Sequence, residues 1–210
     1  MRNHLPVPHV DPSAYMLTVA GDGIPEPIQL SLDDLKSKFH PVDLTATIMC
    51  GGNRRNELNS VAEIPGLKWG SNAISTALWR GVRLRDVLLH AGFNFKDLHA
   101  RHVQFEGLDR GVDGAYGASI PLDSAASGDV VLAYEMNGQP LPVDHGFPLR
   151  AVVPGVVGAR NVKWLHKITT SCDESSSPWQ QSDYKLYPQT VRSLSAAKGS
   201  MSLPIQSTPV

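Results

Sequence analysis

Apolar and polar positions alternate over short stretches of this chain, and turn residues separate the stretches at close intervals. Runs rich in β-branched, leucine and aromatic residues cover 15–20, 44–49, 102–105, 130–136, 151–153 and 162–170. These lengths suit strands rather than helices. The pair Asn137-Gly138, directly after the fourth run, is a two-residue hairpin signal because both residues accept positive φ. Helical spacing occurs in two places. Ser31 before Leu32-Asp33-Asp34-Leu35 reads as an N-cap with an acidic first turn, and the stretch from Arg83 to Ala91 places Leu84, Val87, Leu88 and Ala91 on one face before Gly92 ends it. There is no regular βα alternation and no internal repeat, so the pattern predicts an α+β fold.

The 16 prolines and 18 glycines among 210 residues are spread along the whole length, which fits many short elements joined by turns. Apolar content of 41% supports a substantial buried core. A net charge of −1 supplies no global field for nucleic acid, so any anion must be held by local clusters. The longest uncharged apolar stretch, 151–159, has nine residues and contains Pro154 and Gly155, too short for a membrane span. The first residues, Met1-Arg2-Asn3-His4-Leu5-Pro6, read as neither a secretory h-region nor an Arg/Ser-rich transit peptide. From about Ser171 the composition turns to Ser, Pro, Gln and Lys, predicting an extended loop over 172–178 and a tail over the last dozen residues.

Two cysteines 122 positions apart make neither a disulfide framework nor a zinc cluster. Cys50 is the distinctive one, in Met49-Cys50-Gly51-Gly52-Asn53-Arg54-Arg55, where an apolar run ends in a thiol followed by tight backbone and two guanidiniums. Fixed positive charge beside a thiol favours the thiolate that nucleophiles and soft-metal ligands require. On residue chemistry alone Cys50 reads equally as a packing thiol, Trp69 as a core aromatic, His145 as a turn residue, and Arg150 and Lys163 as solvated charges. No dinucleotide fingerprint, phosphate loop or HExxH is present, and the eight histidines are scattered.

The Cys50 heptapeptide resembles the Cys-Ala-Gly-Asn-Arg-Arg element of the sulfite oxidase and plant nitrate reductase family, with Gly51 where that family usually has Ala. Further stretches recur in the family's order: Trp69, 72–81, 105–109, 116–122, 132–142, 144–150, 153–160, 162–165, Trp179 and Asp183-Tyr184-Lys185. The likeness runs nearly end to end and is strongest to the animal-type members.

The resemblance implies the mixed-sheet molybdopterin-binding fold over 1–195, with 196–210 a linker or tail leading to a C-terminal dimerisation domain absent from this chain. It implies Mo-molybdopterin as cofactor, with Cys50 as the sole protein ligand to molybdenum. Arg2, Asn3, His4, Asp109, His145 and Arg150 would bind the cofactor, and Asn161, Val162 and Lys163 would close the groove with main-chain donors and an ammonium. Arg2, Arg55, Trp69 and Tyr184 would surround sulfite. The sequence leaves open which of Arg54 and Arg55 points inward; the resemblance assigns Arg54 to the scaffold. The implied reaction is oxidation of sulfite to sulfate, with electrons leaving to a cytochrome-type acceptor through a haem domain outside this chain, in the mitochondrial intermembrane space. Alternatives on the same cofactor are nitrate or sulfoxide reduction, or a cofactor-binding fragment without turnover. Family members dimerise; this chain, ending at Val210, is expected to be mainly monomeric, weakly active if at all, and without a direct route to a cytochrome.

Overall fold

The structure of the chain, a computed structural model, describes residues 4–61, 63–64, 66–96, 99–186 and 201–202. Two five-stranded sheets carry it, with four short helices between and around them, an α+β architecture. The first sheet orders β2 (Ile28–Ser31), β1 (Met16–Gly21), β10 (Leu165–Ser171), β5 (His102–Gly111) and β6 (Gly114–Pro121). All neighbours are antiparallel except β1 and β10, which run parallel and so bring the start of the chain beside residue 168. The second sheet orders β3 (Val42–Met49), β4 (Ile74–Arg83), β7 (Val131–Met136) and β8 (Gln139–Pro140), with β9 (Arg150–Val152) also paired to β7.

Alternation assigns the side chains of the second sheet. Along β7, Leu132 and Tyr134 join a large core with Leu17, Val19, Phe105 and Ile168 of the first sheet, whereas Val131 and Ala133 join a smaller one with Ala46, Trp79, Leu141 and Val152 on the opposite face. Burial on both faces is why β7 reads as a continuous apolar run. On β9, Ala151 faces the large core while Val152 belongs to the smaller one, and alternation sends Arg150 to that second face as well. A charged residue is thereby committed to the interior.

Both sequence-predicted helices form. The first, α1 (Leu32–Lys38), begins with a complete capping box in which Ser31 Oγ accepts from the Asp34 N–H at 3.0 Å and the Asp34 carboxylate accepts from the Ser31 N–H at 2.9 Å. Of the other three helices, α3 (Leu84–His90) buries Leu84, Val87 and Leu88 and stops at Gly92 with φ +83°; α2 (Arg55–Leu58) and α4 (Leu122–Ala126) are single turns. The Asn137-Gly138 turn has both φ values positive, as its sequence predicts.

Several elements differ from the sequence reading. The strand β5 runs on to Gly111, and β10 starts only at Leu165 because Trp164 has φ +48° and breaks the run begun at Val162. Met201–Ser202, within the segment read as tail, forms β12 and pairs with β11 (Lys185–Leu186); residues 203–210 lie outside the described part. No helix among the described residues is long and apolar enough to cross a membrane.

Candidate functional site

A cavity of about 950 Å³ opens on the second face of the β3-β4-β7 sheet. Its walls include Ile48, Ala77, Trp79, Met136 and Arg150 from the sheet, Asp109 and Tyr116 from β5 and β6, and the loops bearing Cys50, Trp69, His145, Lys163 and Tyr184.

Cys50 is delivered by the end of β3. Its N–H donates to Ala73 O at 2.9 Å, extending the β3-β4 ladder by one rung, and its carbonyl accepts from the Asn53 N–H at 2.9 Å. The loop that follows is stitched to 69–73: Arg54 N–H donates to Gly70 O, Asn56 N–H to Trp69 O, and Asn53 Oδ1 accepts from the Ala73 N–H. A Cβ on residue 52 would lie 2.8 Å from the Trp69 ring, so that position demands glycine. A Cβ on residue 51 would meet only the Val157 Cγ2 methyl, at 3.3 Å, a contact that requires that methyl to give by a few tenths of an ångström. The one departure from the family heptapeptide therefore falls where an added methyl displaces another methyl rather than a ring. The thiol is free and half-buried on the cavity wall.

The two arginines part company. Arg54, in the left-handed region at φ +65°, is exposed and donates to Glu57 (Nε to Oε1, 2.9 Å). Arg55 is half-buried with its guanidinium over the Trp69 ring, 5.0 Å from the centroid, and stands one layer behind the wall. The Trp69 indole N–H is buried with no acceptor among the described residues.

At the other end, Arg150 is 5% exposed. Its guanidinium lies 4.8 Å from the centre of the Trp79 ring and donates to the carbonyls of His145 (3.0 Å), Asn161 (3.3 Å) and Ala151 (3.4 Å). No carboxylate pairs with it among the described residues, and burial pulls its pKa down to about 10. The neighbouring His145 is pushed below the usual imidazole value by burial and then by Arg150 and Lys163. Lys163 Nζ donates to Asp144 O at 2.8 Å and sits 4.3 Å from the Trp164 ring centre.

Asp109 occupies the inward side of β5, where the alternation Val103, Phe105, Gly107 would place another core residue. Burial raises its pKa, with His4 and Lys163 opposing. Oδ2 lies 3.3 Å from His4 Nδ1, while Oδ1 is buried with no partner among the described residues. His4 stays off the wall, packed edge-on against Tyr116 and Trp179, and acts on the cavity through Asp109. Tyr184 follows the π-turn Trp179–Asp183 and stacks on Trp179 at 6.1 Å between ring centres.

The cavity thus gathers Cys50, Trp69, Asp109, His145, Arg150, Asn161, Lys163 and Tyr184. Three expected site residues, His4, Arg55 and Val162, stand off this wall, and one expected main-chain donor is already used. Asn161 has no main-chain donor to offer, because its N–H is spent on Gly158 O; its side chain accepts from the Val153 N–H and donates to Val157 O. Val162 packs its side chain into the large core, and its carbonyl accepts from the Ala151 N–H. Arg2 and Asn3 lie outside the described residues. The sequence reading gave no role to Tyr116, Trp79, Arg160 or Gln180. The first two wall the cavity, and the last two are polar groups that are 2% and 1% exposed. Trp79, Tyr116 and Arg160 fall in stretches that recur in the family, which is their one signal.

These residues suit an elongated, anionic, sulfur-bearing cofactor. Among the described residues no three His, Cys, Asp or Glu side chains cluster to hold a metal, so Cys50 could serve only an ion whose other ligands arrive with a cofactor. Asp109 Oδ1, without a partner among the described residues, could accept from a ring N–H, and Arg150, with no carboxylate partner among them, could donate to a phosphate.

The family model for the oxidoreductase molybdopterin-binding domain matches residues 4–179. The chain is 58% identical over 187 residues to a sulfite oxidase from Gallus gallus (88% of this chain, 40% of the relative) and 53% identical over 213 residues to a mitochondrial sulfite oxidase from Rattus norvegicus (98% and 39%). It is 42% identical to a nitrate reductase [NAD(P)H] from Hordeum vulgare (91% and 22%). Among solved structures, the sulfane dehydrogenase SoxCD from Paracoccus pantotrophus superposes with a TM-score of 0.73 at 26% identity, over 85% of this chain and 43% of that one. The chain spans about two fifths of the length of these two sulfite oxidases.

Proposed function

From the premise that the chain belongs to the oxidoreductase molybdopterin-binding family, whose cofactor is Mo-molybdopterin, we propose that it oxidises sulfite to sulfate. The observation that carries this reading is a half-buried thiol in a cavity that also holds a buried guanidinium with no carboxylate partner among the described residues, the two set toward opposite ends of the sheet by strand register.

In this reading Cys50 is the single protein ligand to molybdenum, held by a rung of the β3-β4 ladder so that its sulfur has little freedom. Arg150, Lys163 and His145 take the phosphate end of the cofactor. An anion there would oppose the Arg150 and Lys163 charges that, after burial, help lower the His145 pKa, and would offset the cost of keeping Arg150 charged. Asp109, steadied by His4, accepts from the ring system. The cofactor, when bound, supplies the oxygen transfer and the two-electron redox chemistry, the overall change being sulfite plus water to sulfate, two protons and two electrons.

Sulfite requires donors that cannot lose their charge, a task for Arg2 and for Arg55, whose guanidinium would have to reach past Trp69 from behind the wall. Trp69 contributes its unpaired N–H and holds Arg55 against its ring. Tyr184 orients the substrate with its hydroxyl and helps proton release. The electrons pass to a cytochrome-type acceptor, and the setting is mitochondrial, as the names of the relatives from Rattus norvegicus and Homo sapiens suggest.

The test is molybdenum analysis of the loaded protein together with sulfite-dependent reduction of ferricyanide. A parallel arm offers nitrate with a reduced viologen. Sulfite turnover with bound molybdenum supports the proposal. Nitrate turnover without sulfite turnover, or undiminished sulfite turnover by cofactor-loaded Cys50→Ser, would overturn it.

A further inference from the structure

Arg160 lies in the 3₁₀ turn Gly158–Arg160 and is 2% exposed. Its Nη2 donates to Tyr184 O at 2.6 Å, across 24 residues of sequence. Its Nη1 is buried without a partner among the described residues, and burial lowers its pKa, with Tyr116 and Glu174 opposing. A desolvated guanidinium with a bare nitrogen is a poor way to stabilise a fold, since an apolar side chain of similar volume would do as well or better. Its value lies in where it holds things.

The turn that carries Arg160 packs on the Cys50 loop. A Cβ on residue 158 would lie 3.2 Å from Met49 O, and one on residue 51 would lie 3.3 Å from Val157 Cγ2. At its other end Arg160 grips the residue that closes the π-turn. That turn is fixed independently: the Gln180 side chain accepts from the Ser119 N–H of β6 at 3.1 Å and donates to Glu174 at 2.8 Å, and Glu174 in turn pairs with Lys185. Tyr184 is thus restrained on both sides, and Arg160 supplies the restraint that leads back to Cys50.

We infer that Arg160 is a positioning residue, whose hydrogen bond to the Tyr184 carbonyl sets the place of Tyr184 on the cavity wall relative to the Cys50 loop. The inference rests on the reading of Tyr184 given above. It predicts that the effect of Arg160 on turnover runs through Tyr184 alone.

The experiment is a double-mutant cycle on the full chain loaded with Mo-molybdopterin, joined to hydrogen exchange on the unloaded chain. Arg160→Gln should lower kcat by about 100-fold, the scale of a misplacement of about 1 Å, with KM changed far less. Arg160→Lys keeps a charged donor and should recover part of that loss; it also carries the test if the Gln variant folds poorly. In a Tyr184→Phe background, Arg160→Gln should cost no more than about threefold further. Before loading, Arg160→Gln should speed amide exchange over 180–185 while β5 and β6 keep their protection. Additive losses in the cycle, or unchanged exchange over 180–185, would overturn the inference. Normal turnover by Tyr184→Phe would remove the reading beneath it, and the exchange data separate that result from failure of the restraint itself.

Discussion

Replacing Arg150 with methionine tests the anion end of the cavity, and the structure sets the magnitude. A pKa pulled down to about 10 corresponds to about 3 kcal/mol working against the charged form at this buried position. Methionine would recover that desolvation but would lose the Trp79 contact and three hydrogen bonds to carbonyls, two of them at 3.3 Å and 3.4 Å. A well-made hydrogen bond from a charged donor contributes about 1.5–3 kcal/mol, and long ones contribute less. Gain and loss nearly offset, so unfolding free energy should move by no more than about 2 kcal/mol in either direction. Anion binding has no such offset. Losing one charged hydrogen bond to phosphate should weaken binding by about 1.5–3 kcal/mol, or roughly 10- to 100-fold in Kd. Arg150→Lys should fall between, because an ammonium supplies the charge without the fork. Urea unfolding gives the first quantity, and calorimetric titration of the unloaded chain with pyrophosphate gives the second. Unchanged pyrophosphate affinity in Arg150→Met would refute the assignment. A stability loss above about 4 kcal/mol would instead make Arg150 an internal strut.

Four further outcomes are expected. Cys50→Ser should retain the far-ultraviolet circular dichroism of the parent but lose sulfite-dependent ferricyanide reduction after cofactor loading, since a hydroxyl is a poor soft-metal ligand. Arg55→Gln should raise the sulfite KM roughly 10- to 100-fold through the loss of one charged hydrogen bond, measured at fixed ionic strength; an unchanged KM with only kcat affected would place Arg55 outside ground-state anion binding. Gly51→Ala should stay within about 0.5 kcal/mol of the parent, whereas Gly52→Ala should cost about 1–3 kcal/mol in chemical denaturation because the Trp69 ring must shift. The Asp109 carboxyl has a folded pKa above its unfolded one, so its contribution to stability is full below the unfolded value and is lost as pH rises through the folded value; Asp109→Asn should therefore gain relative to the parent as unfolding is measured at rising pH.

Local chemistry determined much of this protein from the sequence alone. Ser31 and Asp34 encode a capping box within four residues, Asn137-Gly138 encodes its own turn, and the face formed by Leu84, Val87, Leu88 and Ala91 encodes the burial of α3. The position of Cys50 at the end of an apolar run, ahead of two glycines, is likewise a local signal. The strands β4 and β6 escaped notice for opposite reasons. The first half of β4 lies open along the cavity and has no apolar alternation, and β6, small-residued and buried on both faces, has no polar alternation. Only the tertiary structure could sort Arg54 from Arg55, because the choice depends on Glu57 and on Trp69 folding back across the loop. The same holds for Asn161, whose N–H is consumed by a turn, and for Arg160, whose acceptor, the Tyr184 carbonyl, lies 24 residues away along the chain. Periodicity records which face a side chain occupies. Which donor meets which acceptor across the chain is decided only when long-range packing brings them together and removes the water that would otherwise satisfy them.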